Sequence, residues 1–251
     1  MALDTEKNSY TVVFAMVMVI VVGSILAGLA SGLKPVVKAN ERYEKQQNIL
    51  YAIGVNNNEG SSDVSFVPTD IVEAKFNEYI KKQYVIQGDE ITENDEAYLI
   101  DIKKEGAKAK NGNYERRLPL FVADKDGEEV YVVPVRGKGL WDAIWGFVAM
   151  DKNMVVQGVF FDHAGETPGL GANIKERFFM DDFAGEKLLD ENDNFQGIKV
   201  AKGNNDPKNE RKNDHKVDAI AGSTITGDGV TAMLKKDIQM YKPYFSNLNQ
   251  L

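Results

Sequence analysis

The 251-residue chain has no cysteine and only two histidines, His163 and His215. Without cysteine there are no disulfides, no thiolate chemistry, no cysteine-ligated iron–sulfur clusters and no thioether-attached haem. Two histidines leave few nitrogen ligands for zinc, so we expect no bound metal. If this protein moves electrons, a tightly held organic cofactor is the option that remains.

An excess of positive charge is also missing. The formal net charge is −8, which provides no broad electrostatic attraction to nucleic acid, and we expect no nucleic-acid partner. No glycine-rich dinucleotide turn follows a strand pattern, so the sequence gives no sign of a nicotinamide site. What the chain does have is a globular composition and enough length for an anchor and one or two compact domains.

An uncharged run extends from Tyr10 to Leu33. At about 1.5 Å per residue, a helix of this length crosses a bilayer core of about 30 Å. A cleaved signal peptide is the alternative, but Lys7 is the only basic residue before the run, and the run is longer than a typical signal-peptide core. We therefore predict an N-terminal tail over residues 1–9 and a retained transmembrane helix over residues 10–33.

Small residues lie along one face of this helix. Ser24, Gly28 and Gly32 are spaced four apart, which lets a second helix approach closely. Glycine and serine are also common in membrane spans that have no such partner. A single anchor with this face suggests a subunit of a membrane complex.

Basic residues follow the helix more often than they precede it. Lys7 lies before it, and four basic residues come soon after it: Lys34, Lys38, Arg42 and Lys45. By the positive-inside rule, this pattern places the C-terminal part of the chain in the cytoplasm.

Residues 34–117 predict a juxtamembrane helix and a smaller α/β portion. Residues 34–53 continue the helical pattern of the anchor. Thr69 or Asp70 can cap a second helix, which has an apolar stripe and runs to about Tyr84.

Strand patterns dominate from residue 118 onward. Asp126-Gly127 and the segment 151–153 are turn signals within two predicted hairpins. The predicted strands are Leu118–Ala123, Glu129–Val135, Ile144–Met150 and Met154–Asp162. Other predicted elements are a short helix at Ala172–Met180, a solvated loop at 202–216 and a helix from Val230 to about Tyr241.

These patterns predict an α+β fold class. A single N-terminal transmembrane helix precedes a domain over residues 118–251 with an antiparallel sheet, and a smaller N-terminal α/β portion lies between them.

Three hydroxyls and three glycines are concentrated between Asp218 and Val230, ahead of the last helix. The hydroxyls belong to Ser223, Thr224 and Thr226, and the glycines are Gly222, Gly227 and Gly229. Residues of these types commonly cap a helix and turn the chain. A nearby helix N-terminus also attracts phosphate, because unpaired backbone N–H groups point outward there. The segment can therefore hold a phosphate-bearing group, bound or covalently attached.

Two further segments combine glycine with polar or aromatic residues. In Arg136–Trp141, Gly139 allows close backbone approach, Lys138 can meet a phosphate and Trp141 can flank a planar ring. A glycine turn beside a core tryptophan is the alternative interpretation. The second segment, His163–Gly171, is a loop that can present backbone N–H groups and hydroxyls to a ligand. Its His163 and Glu166 can equally form a hydrogen-bonded pair that fixes the loop.

The segment Asp218-Ala-Ile-Ala-Gly-Ser-Thr224 resembles the flavinylation motif of the single-anchor, covalent FMN-binding subunit of the Na⁺-translocating NADH:quinone reductase and its relatives. That pattern is Asp, two variable residues, Ser or Thr, Gly, Ala and Thr, and its final Thr carries FMN through a phosphoester. The resemblance makes Thr224 the acceptor and Asp218 the motif aspartate, with Thr226 and then Ser223 as further candidates. This chain departs from the pattern at Ala221, where Ser or Thr is common, and at Ser223, where Ala is common.

The resemblance covers most of the chain and implies a flavin pocket. Its candidate residues are Glu166, Thr167, Gly169 and Leu170 of the second segment, Lys138, Gly139 and Trp141 of the first, and Gly222 beside the motif hydroxyls. It also implies an electron carrier in a complex that oxidises NADH, reduces ubiquinone and exports Na⁺. The implied partners are an iron–sulfur subunit, a second FMN subunit and a flavin transferase.

The location implied by the resemblance is the bacterial cytoplasmic membrane, with the soluble domain outside the cytoplasm, opposite to the charge rule. Two other interpretations are compatible with the sequence. One is the homologous FMN subunit of an ion-translocating complex that exchanges electrons with ferredoxin. The other is a membrane-anchored scaffold or sensor without a cofactor.

Overall fold

The structure is a computed structural model that describes residues 7–110 and 112–245. Residues 1–6 of the predicted N-terminal tail and the last six residues of the predicted C-terminal domain lie outside the described residues. The chain divides into two compact units, Met1–Arg42 and Tyr43–Leu251.

A single long helix begins the described chain. This helix, α1, covers Asn8–Ala52 and includes the predicted juxtamembrane helix. Its apolar window has a mean hydropathy of 2.8 and none of that window is buried. The prediction of an N-terminal helix long and apolar enough to cross a membrane is therefore confirmed.

A six-stranded antiparallel sheet forms the centre of the second unit, in the order β2-β1-β3-β4-β5-β6. The strands are β1 Ile80–Gln87, β2 Glu90–Glu93, β3 Leu118–Lys125, β4 Glu128–Lys138, β5 Ala143–Met150 and β6 Val156–His163. Two short parallel strands, β7 Lys199–Ala201 and β8 Lys216–Asp218, form a second sheet. The remaining α-helices are α2 Val72–Tyr79, α3 Ile102–Ala109, α4 Arg177–Met180, α5 Thr224–Gln239 and α6 Lys242–Phe245. The predicted α+β class with an antiparallel sheet is confirmed.

The sheet extends across the boundary that the sequence suggests at residues 117 and 118. Strand β1 pairs with β3, with Tyr84 opposite Leu120 and Ile86 opposite Leu118. Residues 34–117 therefore contribute two strands to the same sheet as the segment that follows them.

The helix predicted from Thr69 to Tyr84 is wrong in its second half. Helix α2 ends at Tyr79, and β1 starts at Ile80. The run Tyr84-Val-Ile86 is buried in the sheet, where aromatic and β-branched side chains pack well. Strand pairing with β3 therefore overrides the helical spacing of the apolar residues.

Both predicted hairpins are present. Asp126 and Gly127 have φ angles of 56° and 84°, which two-residue hairpin turns require. In the second hairpin, β6 begins at Val156 because Met154 has a φ of 56° and the Asp151 carboxylate accepts a hydrogen bond from the Val155 N–H. The predicted helix at 172–180 is divided into a 3-10 helix at Gly171–Lys175 and the short helix α4.

Helix α5 begins at Thr224, six residues before the predicted start at Val230. The Gly227 N–H donates to the Ser223 carbonyl at 2.9 Å, so Gly227 lies in the first turn of the helix. A Cβ on Gly229 would overlap the Lys138 carbonyl, and one on Gly227 would lie 3.0 Å from a Val200 methyl. These glycines let the helix pack closely against β4 and β7, where the sequence pattern indicated a turn.

A buried carboxylate lies beneath the loop that joins β7 to β8. Glu186 is fully buried, and its Oε1 accepts a hydrogen bond from Asn209 Nδ2 at 3.0 Å. Its Oε2 and the Asn209 Oδ1 are buried and without a partner. Burial raises the pKa of Glu186 to about 7, above the value of 4.5 for an ordinary glutamate.

We expect Glu186→Gln to stabilise the fold at pH 8 by roughly 2 kcal/mol and to have little effect at pH 4. Since the folded state holds the Glu186 proton more tightly, wild-type stability falls as the pH rises from 4.5 through about 7. A glutamine carries no charge and can donate to Asn209 Oδ1. Thermal unfolding from pH 4 to pH 8 measures the difference, with Glu191→Gln on an exposed turn as the control. Equal gains at both pH values would contradict a buried titrating carboxylate.

Candidate functional site

A cavity of about 200 Å³ lies where three segments meet. These are the turn between β4 and β5, the loop that follows β6, and the start of α5. The predicted site residues that line the cavity are Glu166, Thr167, Leu170, Gly222, Ser223, Thr224 and Thr226. Segments far apart in sequence therefore meet at one place, as the resemblance implies.

Glu166 connects the three segments. Its side chain is buried, with 4% exposed, and Oε2 accepts a hydrogen bond from Thr226 Oγ1 at 2.6 Å. Oε1 accepts from the backbone N–H of Trp141 at 2.9 Å and from that of Asp142 at 3.4 Å. One carboxylate from the β6 loop thus holds both the β4–β5 turn and the first turn of α5.

Two glycines leave the space that the Glu166 carboxylate occupies. A Cβ on Gly139 would lie 2.5 Å from Glu166 Oε1. A Cβ on Gly171 would lie 2.5 Å from both Glu166 Oε2 and Thr226 Oγ1. The close approach that the sequence suggests at Gly139 is therefore made by a carboxylate of this protein.

The carboxylate of Glu166 is ionised at neutral pH. Burial by itself raises the pKa of Glu166, but hydrogen bonds from the Thr226 hydroxyl and the Trp141 and Asp142 N–H groups outweigh it. The net result is a pKa below the ordinary value of 4.5. Glu166 therefore accepts hydrogen bonds and has no proton to donate.

The three hydroxyls of the motif differ in their accessibility. Thr226 is 1% exposed and its hydroxyl is bonded to Glu166. Ser223 is 6% exposed, and its Oγ is buried. Thr224 is exposed on the first turn of α5, where it lines the cavity. Of these hydroxyls, only that of Thr224 is accessible to a second protein.

The cavity lies at the N-terminal end of α5, a helix of 16 residues. The first turn leaves the N–H groups of Thr224, Ile225 and Thr226 without partners within the helix. Together with the helix dipole, these groups favour a negative charge near Thr224. A phosphate at the Thr224 hydroxyl would therefore lie in a favourable electrostatic environment.

Large apolar side chains are exposed around the cavity. Leu140 is 44% exposed, Trp141 66%, Leu170 41% and Ile225 57%. The Trp141 indole is oriented by a hydrogen bond from Nε1 to Thr167 Oγ1 at 3.1 Å. Exposed apolar groups gathered around a concave site are typical of a ligand-binding surface.

His163 and Glu166 are joined, but through the backbone. His163 Nδ1 accepts a hydrogen bond from the Glu166 N–H at 3.2 Å, and the Glu166 carboxylate bonds elsewhere. Gly169 has a φ of 76°, which a tight turn in the same loop requires. Both features shape the loop that carries Thr167 and Leu170.

The remaining candidate residues lie outside the cavity lining: Lys138, Gly139, Trp141, Gly169 and Asp218. Lys138 ends β4 and its carbonyl packs on α5, whereas Asp218 ends β8, six positions before Thr224. Leu140, Gly171 and Ile225 line the cavity without having been predicted. A helix start placed at Thr224 would have revealed Ile225, because a residue of the first turn then points away from the core.

Residues 139–239 match the family model of the FMN-binding domain. The chain is 29% identical to the NqrC subunit of the Na⁺-translocating NADH-quinone reductase of Vibrio anguillarum, over 90% of this chain and 88% of that protein. The corresponding protein of Neisseria meningitidis serogroup A is 30% identical over the same shares. The crystal structure of this subunit from Parabacteroides distasonis has 32% identity and a TM-score of 0.70, covering 85% of this chain and 96% of that one. The chain therefore belongs to the NqrC family of Na⁺-translocating NADH-quinone reductase subunits.

Proposed function

We propose that this protein is the FMN-carrying electron-transfer subunit of a Na⁺-translocating NADH:ubiquinone reductase complex, with FMN attached to Thr224 by a phosphoester. The observation that carries the attachment is the difference among the three motif hydroxyls. Thr224 is exposed at the start of α5, whereas Ser223 and Thr226 are buried. An outside enzyme that transfers the flavin needs an accessible hydroxyl.

The residues around Thr224 fit the two chemically different ends of FMN. The N-terminal end of α5 and the buried Ser223 hydroxyl suit a phosphate. Leu140, Leu170 and Trp141 offer apolar surface to a flat aromatic ring. We propose that the phosphate lies at the helix end and that the ring rests on this surface.

The size of the cavity favours a flavin that is only partly enclosed. Sites that enclose drug-sized ligands are about 300–1,000 Å³, and this cavity is about 200 Å³. A covalent bond retains the group whether or not the ring is buried, so the ring edge can remain open to partners. FMN supplies the electron-transfer chemistry, and the protein tunes it through hydrogen bonds, burial and charge.

We place the protein in the bacterial cytoplasmic membrane as a single-pass subunit, with α1 as the anchor. Its proposed neighbours are an iron–sulfur subunit and a second FMN subunit, and a flavin transferase matures it. We place the soluble residues in the periplasm, where that transferase works in this family. The basic residues after the span oppose this orientation by the positive-inside rule, and packing against neighbouring subunits is what we expect to override it.

The experiment is to produce the full chain with and without a flavin transferase and to denature both samples. We expect a fluorescent band on a denaturing gel for the first sample and a dark band for the second. The intact mass of the first should rise by that of FMN less one water, since the ester replaces one phosphate oxygen. A dark band in both samples would reject the covalent electron-carrier function and favour a scaffold without a cofactor.

A further inference from the structure

Ser223 has a buried hydroxyl that the helix does not use. The residue precedes α5, and its carbonyl accepts from the Gly227 N–H at 2.9 Å. A serine at this position usually also accepts a hydrogen bond from the first helical turn through its side chain. Here there is no such bond, and Ser223 Oγ is buried without a partner.

A buried hydroxyl without a partner destabilises a fold, because it has lost its hydrogen bonds to water. The backbone around Ser223 does not need the hydroxyl: its N–H donates to the Ile220 carbonyl at 3.1 Å, and the φ of 76° that forms the turn belongs to Gly222. Alanine, which is common at this place in the motif, would satisfy the same backbone. The hydroxyl therefore calls for a partner outside the protein.

The surroundings of the Ser223 hydroxyl indicate an anionic partner. Ser223 and Thr224 line the same cavity, at the positive end of α5. Glu166, the carboxylate in this cavity, is already bonded to Thr226 and to the backbone of Trp141. A phosphate attached to Thr224 would be an acceptor next to the Ser223 hydroxyl.

We propose that Ser223 is a positioning residue for the phosphate of the flavin ester, with its hydroxyl donating a hydrogen bond to a phosphate oxygen. This inference rests on the proposed function. Ser223 fixes the orientation of the phosphate, together with the free N–H groups of the first turn of α5. It distinguishes this chain from relatives with alanine at the position, in which the N–H groups act alone.

The test compares Ser223→Ala with wild type, using the full chain in detergent with and without attached FMN. In the chain without flavin, we expect the variant to melt at the wild-type temperature or slightly above it, because an unpartnered hydroxyl is removed. In the flavin-bearing chain, we expect the rise in melting temperature on flavin attachment to shrink by roughly 3 to 8 °C. The ³¹P resonance of the ester should also shift, and Ser223→Thr, which keeps a hydroxyl, should restore the wild-type shift.

Several outcomes would overturn the inference. If Ser223→Ala destabilises the flavin-free chain as much as the flavin-bearing chain, the hydroxyl is a helix cap. If covalent FMN is present but neither the ³¹P resonance nor the melting rise changes, Ser223 does not touch the phosphate, and the proposed function still stands. If wild type takes up no covalent flavin, the proposed function and this inference fail together.

Discussion

Thr224→Ala is expected to remove all covalently attached flavin from this protein. The phosphoester needs a hydroxyl that a transferase can reach, and Thr224 is the exposed hydroxyl of the motif. The loss should be complete, because no alternative atom at that position can form the bond. Intact mass and fluorescence after denaturation, on chains produced with a flavin transferase, measure it directly. A reductase complex assembled with the variant should also lose electron transfer from NADH to quinone.

The matched variant is Thr226→Ala, two positions along the same helix. Thr226 is 1% exposed and its hydroxyl donates to Glu166, so it is shielded from an outside enzyme. We expect Thr226→Ala to melt at a lower temperature and to keep its flavin. Thr224→Ser should also keep flavin, since it retains a hydroxyl. If Thr226→Ala loses the flavin and Thr224→Ala keeps it, the proposed attachment site is wrong.

Glu166→Ala should cause the largest loss of stability among substitutions at the site. It leaves the Thr226 hydroxyl and the Trp141 and Asp142 N–H groups without their acceptor, and it opens a cavity between three segments. Each buried group without a partner costs about 1–3 kcal/mol, so we expect a loss of roughly 3 kcal/mol overall. For a soluble unit of this size, the melting temperature should fall by about 6–12 °C.

The effect of Glu166→Ala should depend on pH. The folded pKa of Glu166 is below its ordinary value of 4.5, so its stabilising contribution is present above that pH and is lost as the pH falls. The gap between wild type and variant should therefore narrow below pH 4.5. Glu191→Ala, on an exposed turn, is the control and should behave as wild type. A constant gap across this range would show that packing alone, and not the charge, accounts for the loss.

Local sequence signals predicted the elements that depend on neighbouring residues. The uncharged run after residue 9 is sufficient to form an apolar helix, because every backbone hydrogen bond is made within it. Asp126-Gly127 predicted the β3–β4 hairpin because both residues adopt positive φ without a large steric penalty. Neither prediction requires knowledge of the rest of the fold.

Predictions failed where distant contacts decide the structure. Tyr84 belongs to β1 because it pairs with Leu120, and the helical spacing around it contains no information about that strand. The predicted start of α5 is too late because glycines usually interrupt helices. Here Gly227 and Gly229 lie in the helix because α5 packs against β7 and β4 through them.

The sequence by itself determined the chemistry available to this protein: no thiol, an apolar anchor, and three hydroxyls beside glycines near the start of a helix. It did not determine which hydroxyl is accessible, since accessibility depends on segments that meet only in the folded chain. Glu166, sixty positions before Thr226, buries that hydroxyl and leaves Thr224 exposed two residues away. Tertiary structure made this choice because a buried carboxylate needs donors, and folding brings Thr226 within reach of it.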